Sequence, residues 1–455
     1  MSGSFLDYDV PPTLISFAIA PIDKNEVLTP EFKEAGNPVY LFGAADESAE
    51  SLKATWENFH KLHREGKVKS AWAVEYGIGE AVMKMSFGNN IGFCAEADLG
   101  EEWHMGAHWG FLVAELSEDV ELPGVMKLGV TTEKAEIVLG GDKAEIAELL
   151  ALNEAVLEKV YPTKVKETEA ELPVFGYEGG CAAAPAVKVA KPKVLIPVFP
   201  GTNCEYDSAR AMEAAGAEPE IFVVRNLSAE DVTRSVEQFA AKIAESQMIF
   251  IPGGFSGGDE PDGSAKFITA FFRNPAIKEQ VGKLLDDRDG LMLGICNGFQ
   301  ALIKLGLVPF GKIVDTDDAC PTLTYNTIAR HQSKLVRTRV CTNKSPWLAG
   351  TEVGEIYTVP ISHGEGRFFA SEELALQLAA NGQIATQYVD LEGKPTMDTA
   401  FNPNGSLFAI EGITSPDGRV LGKMGHSERF ADGLYRNVPG EYDMKLFASA
   451  VKYFK

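Results

Sequence analysis

The chain has 455 residues, too many for one ordinary hydrophobic core, so two or three domains are expected. An apolar fraction of 45% and a charged fraction of 24% are those of a soluble globular protein, and no stretch approaches a membrane span. The net charge of −23 repels a phosphate backbone and argues against nucleic-acid binding; solubility is reason enough for it.

The opening residues show no basic region followed by an apolar one, so no secretory signal is expected. Six cysteines, at 94, 181, 204, 296, 320 and 341, form no Cys-x-x-Cys pair and no metal-like cluster. A reducing, cytoplasmic location is the expectation.

Leu14 to Ala20 reads as an apolar strand. Ser48 to Glu65 reads as a helix, with Leu52, Trp56, Phe59 and Leu62 at helical spacing and Gly66 as its stop. Gly110 to Leu116 and Met126 to Leu139 read as strands. Asp142 with Glu145 suggests a capping box, opening a helix with Ile146, Leu149, Leu150, Val156 and Val160 on one face and Pro162 at its end. Residues 1–161 thus form an α+β region. Residues 162–192, with Gly179-Gly180, Pro185 and Lys191-Pro192, lack periodicity and read as a linker.

From Lys193 to Lys455 strands and helices alternate at first. Val194 to Phe199 is a continuous apolar run, as a doubly buried strand requires. A helix from Cys204 to Ala215, a strand from Glu220 to Val224 and a helix capped by Ser228 and Asp231 follow. Met248 to Ile251 is the next strand, and a helical region spans Ala265 to Leu285. The alternation predicts an α/β domain with a doubly wound parallel sheet, whose ligands sit beyond the carboxyl ends of the strands.

At one such end stands Gly294-Ile295-Cys296-Asn297-Gly298-Phe299-Gln300, between an apolar strand and a helix running to Leu305. A cysteine there occupies a sharp elbow whose glycines let the turn close, and the helix N-terminus favours a thiolate lifted clear of the sheet. A buried free cysteine is the bland reading, and this setting disfavours it. A thiolate nucleophile needs a base and oxyanion donors. Two His-x-Glu patterns supply candidate bases with a steering carboxylate: His363-Gly364-Glu365, which reads as a loop, and His426-Ser427-Glu428, just after the strand-like Arg419 to Met424. Spacing leaves both open. The amides of Asn297 and of Gly254, in Pro252-Gly253-Gly254, are the candidate oxyanion donors.

Other features have plain readings. His104 and His108 stand four apart like zinc ligands, but Trp103, Trp109 and the run Phe111 to Val113 point to core packing. Gly77-x-Gly79 is a weak phosphate-loop pattern. Arg330-His331 and Arg337-x-Arg339 read as a solvated face. Thr202 or Asn203 should cap the helix at Cys204, and Cys204 is a weaker nucleophile than Cys296 because no glycine pair surrounds it.

Six stretches carry a resemblance. They are Phe199 to Glu205, Pro252 to Ser256, Gly294 to Gln300, Ser362 to Phe368, Asn402 to Ser406 and Gly425 to Arg429. Residues 193–455 resemble the triad-type (class I) glutamine amidotransferase domain of the phosphoribosylformylglycinamidine synthases, ligases of purine biosynthesis. Residues 1–161 are similar, more loosely, to the last lobe of the synthetase region in that family, a lobe shared with aminoimidazole ribonucleotide synthetase. The resemblance implies a catalytic Cys296, His426 and Glu428, an oxyanion site at Gly254 and Asn297, and glutamine binding by Gly253, Gln300, Ser362, His363 and Gly364. It implies L-glutamine as substrate and no cofactor or metal for the glutaminase step, with ATP and magnesium acting in the complete enzyme. The partner implied is the synthetase portion preceding residue 1, with Met1 resembling an internal residue of the longer protein; no membrane and no nucleic acid are expected. Two departures stand out: Gly257 replaces a common Tyr ahead of Gly258 to Asp262, and Ser427 replaces a common Pro, which should loosen the segment. A fragment inactive alone, serving as a docking or ammonia-delivery module, and a different cysteine hydrolase on the same elbow are the competing readings.

Overall fold

The apolar run Pro38-Val39-Tyr40-Leu41-Phe42 forms a strand buried at every position, which only a sheet covered on both faces permits. The computed structural model describes all residues except 1–2, 6–7, 11, 13, 44–47, 97–99, 101–103, 164, 166–170, 182–183, 186, 257–263 and 436–437. The chain divides into two units, Met1–Pro162 and Thr163–Lys455. Among the described residues no helix is long and apolar enough to cross a membrane.

In the first unit β1 (Gly3–Phe5) pairs antiparallel with β2 (Tyr8–Val10). The main sheet comprises β3 (Pro38–Phe42), β4 (Val68–Ala73), β5 (Gly92–Ala95), β6 (Leu112–Leu116), β7 (Val125–Thr132), β8 (Glu136–Leu139) and β9 (Asp142–Glu145), in the order β4-β6-β3-β7-β5-β8-β9. All pairs are antiparallel except β5 with β8. Successive residues of β3 face opposite sides. Val39 and Leu41 pack with Ile78, Val82 and Met85 of helix Ile78–Phe87, whereas Tyr40 and Phe42 join Leu62 of helix Ala49–Arg64. Ser48 caps the latter helix by accepting from the Ser51 amide.

Four expectations fail in this unit. Leu14 to Ala20 forms no strand; Leu14, Phe17 and Ile19 are 96%, 86% and 95% exposed. Apolar composition is met there, but a strand also needs a ladder partner. Asp142 and Glu145 do not cap a helix: Gly140 and Gly141, both at positive φ, turn β8 back into β9 as a hairpin. The helix begins at Ile146 and ends at Ala155, leaving Val156 and Val160 exposed. Trp109 is exposed rather than packed, Phe111 and Val113 are core, and Trp103 lies outside the described residues. Gly77 caps the second helix at φ 112°, and a Cβ there would sit 2.2 Å from the His104 carbonyl oxygen, so close packing accounts for this glycine.

The second unit holds a mixed sheet of nine strands, not a purely parallel one. Its strands are β10 (Lys193–Val198), β11 (Glu218–Val223), β12 (Met248–Ile251) and β13 (Leu291–Ile295), then β15 (Gln332–Val340), β16 (Ile356–His363), β18 (Ile384–Val389), β19 (Ile410–Thr414) and β20 (Val420–Lys423). A separate antiparallel pair joins β14 (Thr322–Tyr325) to β17 (Glu365–Phe369). The sheet order is β11-β10-β12-β13-β20-β19-β18-β15-β16. Pairing is parallel from β11 through β20 and antiparallel from β20 onward. The antiparallel half escapes the sequence reading because β15 alternates polar and apolar residues with only one face buried.

Helices Glu205–Ala214, Ala229–Glu245, Asn297–Leu305 and Leu446–Phe454 flank this sheet in the chain. The long helical region breaks into Lys266–Phe272, Pro275–Gly282 and a π turn at Lys283–Asp287. Ser228 caps its helix from the Asp231 amide at 3.1 Å, as expected. Neither Thr202 nor Asn203 caps the helix after Cys204; Thr202 Oγ1 instead accepts from the Phe199 amide. Part of the stretch read as a linker is pinned to the second unit: the Phe175 amide donates to Gln387 Oε1 and the Tyr177 amide to the Cys341 carbonyl. Arg337 and Arg339 are half-buried and hold the carbonyls of Asp390 and Phe175, so they are not a solvated face.

Within the first unit, the fully buried Glu115 carboxylate accepts from the Lys33 and Glu34 amides, Asn37 Nδ2 and Ser70 Oγ. Glu115→Ala strands these donors, and urea unfolding should show a loss of about 3 kcal/mol or more. Hydrogen exchange at amides 33 and 34 should accelerate; unchanged protection there would contradict the assignment.

Candidate active site

The carboxyl ends of β10, β12, β13 and β20 converge on one place. Cys296 follows β13 at φ 53° and ψ −106°, a conformation a non-glycine residue adopts only under constraint. Such strain costs on the order of 1–3 kcal/mol and is characteristic of nucleophile elbows. Gly298 explains how the turn closes: a Cβ on it would lie 2.0 Å from the Ile251 carbonyl oxygen. The Cys296 amide donates to the Lys423 carbonyl at 2.9 Å, and its thiol points at the Ser362 carbonyl at 3.7 Å.

The expectation of an exposed, ionised sulfur is corrected. Cys296 is 4% exposed, and burial, foremost, pushes its thiol far above the ordinary range, with Cys204 and Glu428 nearby adding to the effect. The amide of Asn297 at the helix N-terminus favours the thiolate but does not prevail.

His426 Nδ1 donates to Glu428 Oε1 at 2.6 Å, and both side chains are buried. A carboxylate only accepts, so the proton sits on Nδ1 and Nε2 is the basic nitrogen. A Cβ on Gly253 would fall 2.7 Å from His426 Cε1, 3.2 Å from Cys204 Sγ and 3.5 Å from Cys296 Cβ. The missing side chain of Gly253 is therefore the space in which imidazole and both cysteines meet.

His363 is arranged differently. It ends β16, and Gly364 joins it to β17, so the segment read as a loop is a strand junction. Its Nδ1 bonds Asn326 Oδ1 at 3.2 Å, not a carboxylate, while Glu365 Oε2 accepts from the Ser264 amide. Burial, with His426 and His331 nearby, lowers the His363 ring to about 3, so it is neutral at pH 7. Asn326 Nδ2 donates to the Arg330 and His363 carbonyls, which makes Oδ1 the acceptor and leaves His363 Nε2 as an acceptor too.

The remaining expected residues gather here as well. Gln300 Nε2 donates to the Glu365 carbonyl at 2.6 Å and its Oε1 accepts from Asn297 Nδ2. Gly254 sits at φ 145°, where a Cβ would strike the Gly201 carbonyl oxygen at 2.5 Å. Ser362 and Gly364 are half-exposed and form the open rim. Although β16 is the far edge of the sheet, its end reaches the site: the His426 amide donates to the Pro360 carbonyl at 2.8 Å. Among the described residues, His363 Nε2, Glu365 Oε1, His426 Nε2 and Glu428 Oε2 are all buried without a hydrogen-bond partner, a concentration typical of a ligand site. The stretch Gly257 to Asp262, where a common Tyr is replaced, lies outside the described residues.

The sequence reading missed Asn326, Lys423, Glu411 and Arg429. Lys423 is 1% exposed, and its ammonium lies 3.3 Å from Glu411 Oε1. It also donates to the Gly425 carbonyl and Ser427 Oγ, while Glu411 Oε1 accepts from the Gly425 amide. Ser427 thus anchors the segment it was expected to loosen, with its hydroxyl also on Met444 Sδ. A lysine ending a buried strand was the available signal.

Lys423→Met leaves Glu411 buried and uncompensated, which should cost about 3–5 kcal/mol in denaturant unfolding of the second unit. Adding Glu411→Leu should recover most of that loss. A single variant as stable as the parent would contradict the pairing.

Residues 191–454 match the model of the CobB/CobQ-like glutamine amidotransferase domain family. The chain is 35% identical over 259 residues to phosphoribosylformylglycinamidine synthase subunit PurQ of Methanococcus maripaludis, covering 56% of this chain and 87% of the relative. It is 32% identical over 275 residues to the subunit of the same name from Dehalococcoides mccartyi, covering 58% of this chain and 98% of the relative. Among solved structures, PurLQS from Thermotoga maritima matches at 28% identity and a TM-score of 0.42, covering 58% of this chain and all of that one. With the match spanning more than half its length, the chain belongs to the CobB/CobQ-like glutamine amidotransferase family, and over 56% of its length it is similar to subunit PurQ of phosphoribosylformylglycinamidine synthase.

Proposed function

We infer that Cys296, His426 and Glu428 form the triad that hydrolyses glutamine, and that the ammonia serves the amidine-forming step of purine biosynthesis. The observation carrying this reading is the buried 2.6 Å bond from His426 Nδ1 to Glu428, beside a glycine whose absent side chain brings imidazole and Cys296 together.

The neutral, buried thiol sets the order of events. His426 Nε2 takes the Cys296 proton as the sulfur attacks the side-chain amide carbon of glutamine, so charge separates only once substrate is in place. Glu428 holds the imidazole and balances the imidazolium. The amides of Gly254 and Asn297 receive the oxyanion. His426 returns the proton to the departing ammonia and a thioester remains, which water cleaves to glutamate.

In the glutamine pocket His363 acts as a neutral group. Its Nε2 and Glu365 Oε1 are buried acceptors that suit the substrate's α-ammonium. Ser362 and Gly364, on the rim, are left for the α-carboxylate. Gln300 shapes the pocket by holding the Glu365 carbonyl, and Gly253 leaves room for the imidazole. Ammonia then passes to a synthetase partner, where ATP and magnesium drive conversion of formylglycinamide ribonucleotide to formylglycinamidine ribonucleotide. Residues 1–161 serve as a lobe of the synthetase type, and the compartment is the cytoplasm.

Glutamate release by the chain tests the reading. Cys296→Ala should abolish it while ammonia-dependent synthesis by the complete enzyme survives. His426→Ala should lower kcat far more than His363→Ala, which should chiefly raise KM for glutamine; the reverse ranking would overturn the assignment. Gly253→Ala should lose about 100-fold in turnover by displacing the imidazole, with little change in stability. Full activity in that variant would show that the imidazole does not need this space.

A further inference from the structure

Cys204 takes no part in the chemistry above, yet it sits against the triad on the side of Glu428. Its Sγ lies 4.0 Å from His426 Nδ1, and ligand atoms of Cys204, His426 and Glu428 all fall within 4.8 Å of one another. All three residues are about 1% exposed. Glu428 Oε2 is buried and makes no hydrogen bond among the described residues, so one carboxylate oxygen is uncommitted there. The sequence hides the cluster, because Cys204 and His426 are 222 residues apart.

We propose that Cys204, His426 and Glu428 form a binding site for a soft divalent cation of the zinc class, and that filling it switches the glutaminase off. One thiolate, one imidazole and one carboxylate is a zinc donor set, with the fourth position left to water. Tetrahedral zinc holds its sulfur and nitrogen ligands about 3.5 Å apart and its nitrogen and oxygen ligands about 3.3 Å apart. The sulfur-to-nitrogen separation of 4.0 Å and the nitrogen-to-oxygen separation of 2.6 Å reach those values through shifts under about 1 Å.

Coordination releases the thiol proton of Cys204. Burial holds that thiol up at about 11, so it is neutral without metal, and a bound cation deprotonates it outright. The thiol now donates to Asn203 Oδ1 and accepts from Arg429 Nη2 at 3.0 Å; the metal replaces both partners, and the half-buried guanidinium turns outward. The decisive consequence lies on the imidazole. Metal on Nδ1 forces the ring proton onto Nε2, the nitrogen that must accept the Cys296 proton. Inhibition therefore needs no contact between metal and Cys296.

The test uses the full chain, reduced and chelator-treated, titrated with cobalt(II) as a coloured stand-in for zinc. The parent should give a thiolate-to-cobalt charge-transfer band. Cys296→Ser should keep it, and Cys204→Ser should bind cobalt at least ~100-fold more weakly. A band that survives in Cys204→Ser or vanishes in Cys296→Ser overturns the site. In the unaltered chain, zinc should move the His426 proton from Nδ1 to Nε2 in long-range proton–nitrogen spectra; an unchanged tautomer at saturating zinc also overturns it. Glutamate release should fall more than about tenfold with zinc and return with chelator, and this arm alone depends on glutamine being the substrate.

Discussion

Lys423 is the residue through which both halves of the site are held. Its carbonyl receives the Cys296 amide, which fixes the elbow. Its ammonium, paired with Glu411, grips the Gly425 carbonyl and Ser427 Oγ on either side of His426. Glu411 completes the clamp by taking the Gly425 amide and the Thr386 hydroxyl. A buried ion pair is costly to desolvate, and apolar residues of similar shape would stabilise the fold as well or better. What the pair contributes is position: nucleophile and base are referenced to one side chain at the end of one strand.

Burial runs through the rest of the site. Cys296, His363, His426 and Glu428 are all nearly inaccessible, and four of the polar atoms they and Glu365 carry have no hydrogen-bond partner among the described residues. A thiol in such surroundings stays protonated, and so does not react with whatever small electrophile drifts past. The neighbouring imidazole provides the route to reactivity only when a substrate occupies the pocket. His363 follows the same logic, being kept neutral so that its free nitrogen is an acceptor. Local strain at Cys296 is sustained by the Lys423 bond and by the close approach of Gly298 to the Ile251 backbone.

Much of the architecture was legible where the physics is local. Continuous apolar runs marked β10 and β12, glycines around Cys296 marked the elbow, and Ser228 marked a helix start. Where a choice depends on distant partners, local spacing was insufficient. The two His-x-Glu patterns are identical in sequence spacing; what separates them is Asn326 on the His363 ring and the Ser264 amide on Glu365. Leu14 to Ala20 has the composition of a strand and no ladder to join. Asp142 and Glu145 satisfy a capping pattern that the preceding Gly-Gly turn overrides. The thiol's ionisation was misread because the helix N-terminus is visible in sequence and burial is not.

The central claim is that Cys296, neutral at rest, becomes the nucleophile toward a glutamine side chain. Its most direct test is peptide mass spectrometry of the full chain after incubation with a glutamine-mimicking electrophile. A single adduct on Cys296, suppressed by excess glutamine and absent in His426→Ala, is the predicted result. An adduct on Cys204 instead, or labelling of Cys296 that glutamine does not compete, would contradict the account.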